Sequence, residues 1–329
     1  MGRLLNISPC FWIGWLVLGL AISHVVWGTT EASFASWIGG EADEVTTAIM
    51  TQIRIPRVLT AMGAGAGLGV CGLLLQTWFG NPLAGPSVLG ISSGAGMGVA
   101  LVVLAGFAGG WVATASAAVL GSMLVLFGIL LVAKRFRGMT TLLIFGLMLN
   151  YVLGALMTIL QAEAKQDALQ QFVFWGMGTF GQNTLFLAAS LIVLVVLVVA
   201  KAWHLRGALD AWTLGGITAR SMGVSDKAVR WNLLLLTGLT TGAVTAICGP
   251  VAFLGLATPH VVRSFTGRRT HGFLIPMTAL CGAALALLAD WGVKGFGGGI
   301  DGWPLNAVLS LLGGPMVIWV LIKRGWTPE

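Results

Sequence analysis

Long apolar runs, broken by short polar or glycine-rich joints, dominate this chain. Ten runs are long enough to cross a bilayer as helices: roughly 10–28, 57–78, 86–107, 111–133, 140–161, 185–203, 231–249, 250–266, 272–293 and 303–322. None alternates apolar with polar residues as a barrel strand does, so the pattern predicts helices. Ten helices consume about 200 residues, which leaves short loops and no room for a separate soluble domain. The fold class expected is therefore an all-α integral membrane protein, a single domain over 1–329.

Composition strengthens this picture. Charged residues make up 9% of the chain and hydrophobic ones 57%, with a mean hydropathy of +0.92. No Asp or Glu occurs between Val45 and Gln161. Only lipid suits so many apolar side chains as solvent.

The net charge of +7 first suggests nucleic acid, but its distribution argues against that. With the N-terminus inside, the inside loops hold Arg3, Lys134, Arg135, Arg137, Lys201, Arg206, Arg220, Lys227, Arg230, Arg263, Arg268, Arg269, Lys323 and Arg324. Only Arg54, Arg57, Lys165 and Lys294 fall outside, while the inside acids are only Asp210, Asp226 and Glu329. This skew is the positive-inside pattern. It predicts cytoplasmic termini and no nucleic-acid partner, with the cell inner membrane as the expected location. Residues 1–28 read as an uncleaved first helix. Cys10, Cys71, Cys248 and Cys281 lie in or beside apolar runs and read as small core residues.

Three loops are long. Residues 29–56 lie outside, with Glu31, Glu41, Asp43 and Glu44. Residues 162–184 also lie outside, and Asp167–Phe174 suits a short interfacial helix. Residues 204–230 form the longest basic inside segment. A weak echo links 54–98, bent at Asn81-Pro82, with 230–266, bent at Gly249-Pro250. The two units start on opposite sides, as an inverted repeat requires; halves of 54–161 and 230–322 follow, with chance similarity of Gly/Pro-rich segments as the alternative. Gly65 and Gly69, and Gly90, Gly94 and Gly98, recur every four residues and mark close helix contacts.

Two enzyme motifs fail on context. Gly67–Gly72 spells G-x-G-x-x-G but sits mid-span with no strand before it. Gly90–Gly94 spells G-x-S-x-G, and its nearest later His is His204, on another helix. No Lys follows a Gly, so the phosphate-cradling loop of ATPases is missing. The chain is thus not expected to be an enzyme. Ion-coupled carriers place acids or His in mid-span, where this chain has almost none.

The segment Arg54–Ala100 carries R-x-P-R, a Gly/Ala-rich helix, Q-x-x-x-x-N-P-L-A-x-P from Gln76, and L-G-x-x-x-G-A from Leu89. Leu214–Val224 reads L-G-x-x-x-A-R-x-M-G-V; Gly249–Arg263 holds F-L-G-L and P-H-x-x-R; Ala289-Asp290 and Gly313-Gly314-Pro315 follow. Together these resemble the FecCD-type permeases, membrane subunits of ABC importers for iron–siderophore complexes, haem and vitamin B12. One stretch departs: the family's Glu-Leu-Pro-x-Gly is here Asp301-Gly302-Trp303-Pro304-Leu305-Asn306, with Asn306 in place of the Gly.

The resemblance implies a type II ABC importer permease with an inverted repeat. Two copies would form a pathway for a metal chelate (iron–siderophore or haem, with cobalamin as the alternative). It implies a periplasmic or extracellular binding protein docking at Arg54, Arg57 and Lys294; interfacial lipid phosphate is the competing partner for those arginines. It implies two ATPase subunits, which hold ATP and Mg, gripping Leu214, Gly215, Ile217, Ala219, Arg220, Met222 and Gly223. In that reading Ile217, Met222 and Val224 form the contact face; a basic loop lying on anionic lipid is the alternative. It implies an inner gate at Asn81, Leu83, Met139 and Thr140, against an ordinary Asn-Pro turn for the first two. Gln76 either faces the pathway or packs. His260 is expected to make a packing hydrogen bond rather than ligate a metal, and Asp290 to pair with Lys294. No cofactor is expected in this chain itself.

Overall fold

The computed structural model describes residues 9–27, 33–106, 110–135, 139–296 and 302–324. Arg3, Glu31, Arg137, Asp301 and Glu329 lie outside the described residues. The helices are α1 (Pro9–Val26), α2 (Phe34–Gly39), α3 (Glu44–Ala48), α4 (Ile55–Phe79), α5 (Ile91–Val103), α6 (Gly110–Arg135), α7 (Met139–Glu163), α8 (Gln166–Met177), α9 (Leu185–His204), α10 (Arg206–Thr213), α11 (Gly216–Ser221), α12 (Asp226–Cys248), α13 (Leu254–Thr266), α14 (His271–Phe296) and α15 (Leu305–Arg324). No strand occurs among the described residues. Each of the ten apolar runs overlaps a helix, and α8 is the expected short helix. The reason is the solvent: in lipid a spanning backbone must satisfy its own hydrogen bonds. Six helical stretches among the described residues are long and apolar enough to cross a membrane.

Two of the ten runs need correction. α5 and α13 have 13 residues each, about 20 Å of helix at 1.5 Å per residue. That is short of a hydrocarbon core about 30 Å thick. Residues missing from these helices form breaks at 80–90 and 249–253. The first holds the buried turn Ala84-Gly85-Pro86, and the second holds Phe253, whose φ of 64° is a left-handed value unusual outside glycine.

The breaks meet beside the middle of α4. A Cβ on Gly255 would strike the Pro86 ring and the Leu68 carbonyl, and one on Gly72 would overlap the Gly255 carbonyl. α4 is almost wholly buried, because its glycine face admits neighbours at backbone distance. Gly65 meets Gly282 of α14 in the same way, and Gly94 and Gly98 meet Gly121 and Ala117 of α6. The glycine stripes thus act as read from the sequence.

Two asparagines bridge the exposed backbone of the breaks. Asn150 of α7 donates from Nδ2 to the Ser87 carbonyl at 3.1 Å, and its Oδ1 accepts from Ser93 Oγ at 2.6 Å. Asn306 of α15 accepts from Ala252 N at 3.0 Å and donates to the carbonyls of Pro250 at 2.6 Å and Gly176 at 3.3 Å. Asn306, which stood out above as a departure, therefore ties α8, the second break and α15 together.

Gly72→Ala is expected to destabilise the fold by about 1–3 kcal/mol through overpacking against rigid backbone. Gly154→Ala, inside α7 where a Cβ meets open space, should leave the fold equally stable or stabilise it by up to about 1 kcal/mol. Thermal unfolding in detergent reads both; equal midpoints would remove the account of the contact.

Candidate functional site

At one end of the bundle, α1, α4 and α14 gather the charges singled out from the sequence. A π-helical turn over Ile49–Arg54 leads into α4, with Pro56 in its first turn. Arg54 is buried and donates from NH1 to the carbonyls of Val25 at 2.7 Å and Val26 at 3.1 Å. It thereby satisfies last-turn carbonyls of α1, which no intrahelical N–H can reach. Arg54, expected with Arg57 to dock a binding protein or meet lipid phosphate, thus turns inward to α1 instead.

Arg57 forks onto Asp290. Its Nε lies 2.9 Å from Oδ2 and its NH2 lies 2.8 Å from Oδ1. Such bidentate pairs are the strong charge-assisted kind. Lys294 is 3.8 Å from the same carboxylate, one helical turn on, so the expected i,i+4 pair exists but ranks behind Arg57. Lys294 donates to His24 Nδ1 at 2.9 Å, which leaves His24 Nε2–H to donate to the Leu287 carbonyl at 2.9 Å. The tautomer follows because an ammonium offers only donors. The Arg57 and Lys294 side chains keep 16% exposure, while Asp290 and His24 are buried. Two reachable cations thus share one buried carboxylate, and the site presents net positive charge.

At the other end, α10 and α11 form a hairpin on the basic face. Leu214, Ile217 and Met222 are exposed, Ile217 by 77%. Arg220 is exposed, and Ala219 is buried beneath the helix. Val224 packs against the core, which corrects its place on the contact face: its N–H bonds to the Ala219 carbonyl at 3.0 Å and draws the chain inward. Gly215 and Gly223 take φ of 104° and 83°, values that favour glycine at both ends of the helix.

The hairpin is wired to the transmembrane helices. Trp212 Nε1 donates to the Trp78 carbonyl at 3.2 Å. His271, at the start of α14, lies with Nδ1 2.7 Å from Asp210 Oδ1 and Nε2 2.8 Å from Thr77 Oγ1. Its backbone N–H also donates to Asp210 at 2.8 Å. Sequence reasoning missed this link, because its members lie far apart in the chain and match no motif.

The residues expected at an inner gate fall in different surroundings. Gln76 is buried, donates to the Leu256 carbonyl at 3.2 Å and accepts from Arg263 at 2.9 Å. It joins α4 to α13, the packing role that was one of its two expected readings. Asn81 accepts from Leu83 N at 2.9 Å in an Asx turn, and Leu83 is exposed. His260 reaches the Pro82 carbonyl with Nε2 at 2.8 Å, the packing bond expected of it. Among the described residues no three His, Cys, Asp or Glu side chains cluster as metal ligands. Leu83 borders a cavity of about 170 Å³ with Pro86 and Phe253, where the breaks meet. Thr140 is exposed at the start of α7; the side chain of Met139 lies outside the described residues.

This helical bundle is similar to known proteins over nearly its whole length. The hemin transport system permease protein HmuU of Yersinia pestis is 32% identical over 331 residues, covering 97% of each chain. The vitamin B12 import system permease protein BtuC of Vibrio cholerae is 34% identical over 319 residues, covering 94% of this chain and 92% of its own. A solved metal-chelate type ABC transporter in an inward-facing conformation superposes with a TM-score of 0.85 at 28% identity, over 95% of this chain and 98% of that one. PsaBC from Streptococcus pneumoniae shares the fold, with a TM-score of 0.57 at 16% identity over 89% and 96% of the two chains. The profile of the FecCD transport family matches residues 15–323, and this multi-pass membrane protein belongs to that family.

Proposed function

We propose that this chain is the transmembrane permease subunit of an ATP-driven importer, and that two copies form the pathway for a metal chelate delivered by a binding protein. One observation carries the reading. In a chain that matches the FecCD family almost end to end, the apolar ridge Leu214–Ile217–Met222 stands bare on the basic face. An exposed apolar ridge rimmed by charge suits insertion into a cleft of a partner protein. That partner is an ATPase, two of whose subunits hold ATP and Mg. The wiring of Asp210, His271, Thr77, Trp212 and Trp78 would carry its movement to the end of α4, next to Asn81 and Leu83. A ligand shifts a two-state protein only by its differential affinity, so ATP must favour one arrangement of that gate.

The basic face is cytoplasmic in this reading, as are both termini, an orientation that the skew of Lys and Arg supports; the membrane is then the inner one. Arg57 and Lys294 then face outward and receive carboxylates of the binding protein in competition with Asp290, while Arg54 positions the end of α1. α7 supports a second copy: Ile144, Leu147, Met148, Tyr151, Val152 and Leu156 are all exposed on it. The units α4–break–α5 and α12–break–α13 are read as parts of an inverted repeat, with halves 54–161 and 230–322. The hemin permease relative supports haem or another iron chelate as cargo, including a siderophore complex. The B12 relative, at similar identity, supports cobalamin as the second reading.

Proteoliposomes holding permease, ATPase and binding protein should accumulate one of labelled haem, ferric siderophore or cobalamin only with ATP on the ATPase side. Uphill transport by the permease alone on an ion gradient would overturn the reading.

Met222→Glu is expected to cut ATP-dependent uptake by about tenfold or more, because it places a charge in an apolar contact worth over 1.4 kcal/mol; insertion in the membrane should be unchanged. Uptake equal to the parent protein would remove the hairpin from coupling. Arg57→Gln should weaken docking of the binding protein at low salt and flatten the salt dependence of what remains. A titration of binding protein against permease in nanodiscs reads this, and unchanged affinity at every salt concentration would discard the assignment.

A further inference from the structure

The basic face also holds a recess that shares Ile217, Arg220, Trp212 and Trp78 with the coupling hairpin and extends beyond it to α6 and α12. It measures about 710 Å³ and lies where the last turn of α6 meets the first turns of α11 and α12. Lys134, Arg220, Lys227 and Arg230 line it, against a single acid, Asp226. Its walls include three indoles, of Trp78, Trp212 and Trp231. Lys134 Nζ lies 5.6 Å from the centre of the Trp231 ring. Lys134, Arg220 and Lys227 are exposed around it, and such a set of cations suits a group with several acceptor oxygens, as a phosphate has.

The surroundings discriminate among anions. On α6, Lys134 heads a stripe of exposed apolar residues, Leu131, Phe127 and Leu124; on α12, Trp231 heads another, Leu235 and Leu239. Steps of three and four keep each stripe on one helix face. α6 and α12 run antiparallel, with Leu126 against Gly238 and Ser122 against Gly242. Both stripes therefore leave the recess in the same direction, toward the bilayer interior. Indoles and long basic side chains at their head mark the membrane–water interface.

We propose that this recess binds the phosphate headgroup of an anionic phospholipid, whose acyl chains lie along the α6 and α12 stripes. Basic pockets between helices on the cytoplasmic side suit such headgroups. The lipid would join Arg220 of α11 to the ends of α6 and α12, so it would brace the hairpin against the membrane. An acidic loop of a partner protein, or free phosphate, would use the cations but not the apolar tracks.

Native mass spectrometry of the full chain tests this, after incubation with equal phosphatidylglycerol and phosphatidylcholine. The chain should retain phosphatidylglycerol about thirtyfold better, from roughly two effective headgroup contacts. The exposed pair Lys134→Gln with Lys227→Gln should erase that preference, and Lys134→Arg with Lys227→Arg should keep it. Lys201→Gln, on the same face but outside the recess, should leave it intact. Equal retention of both lipids by the parent chain would overturn the proposal, as would an equal loss with Lys201→Gln. Displacement of phosphatidylglycerol by millimolar inorganic phosphate would mark a free-anion site instead. Unchanged lipid preference in the Gln pair, with weakened ATPase binding, would assign the recess to the partner protein.

Discussion

A bundle of bilayer-length helices must find partners for every backbone amide that its helices leave open, and this chain opens its backbone at 80–90 and 249–253. Every other feature of the fold follows from how those interruptions are accommodated. Each opened segment is pressed against the glycine face of α4, where Gly72 and Gly255 let backbones touch. Each is also laced by an asparagine from a different helix, Asn150 or Asn306. Unpaired amides there would each cost several kcal/mol, so the contact and the lacing are a joint condition for the broken helices to exist. Phe253 tolerates its left-handed backbone at the same place, as strained residues do where surrounding packing over-determines them.

The two ends of the bundle solve different problems. Asp290 stands near one end as the carboxylate shared by two cations that come from different helices. A single buried acid can hold Arg57 and Lys294 in place without cancelling both charges, so the rim stays cationic. Buried pairs of this kind add little net stability, because desolvation offsets the attraction; their value here is orientation. Near the other end the linkage is mostly between neutral or backbone groups: Trp212 to the Trp78 carbonyl, and His271 between Asp210 and Thr77. Such directional bonds transmit displacement, since a hairpin fixed at two points cannot tilt without moving what it is fixed to.

Much of this was legible along the chain. The ten apolar runs predicted ten helices, because hydrophobic length is a local property that lipid enforces. The glycine spacings predicted which faces pack, since a four-residue step always lands on one side of a helix. The FecCD motifs pointed to the hairpin at 214–223, and its exposed Leu214, Ile217 and Met222 lie there. Val224 was misplaced because one backbone bond decides its direction. The lengths of α5 and α13 were misjudged because an apolar break reads the same as an apolar helix when it is buried in protein.

What the sequence determined by itself was the solvent, the helices, their small-residue faces and the family, all of which depend on composition and near-neighbour spacing. Tertiary structure alone decided the partners. Arg54 turned to the end of α1, Gln76 bridged α4 and α13, Asn306 became a tie, and His271 joined Asp210 to Thr77 across more than sixty residues of chain. Hydrogen bonds of a few ångströms between residues remote in sequence depend on how helices pack, and periodicity carries no record of that.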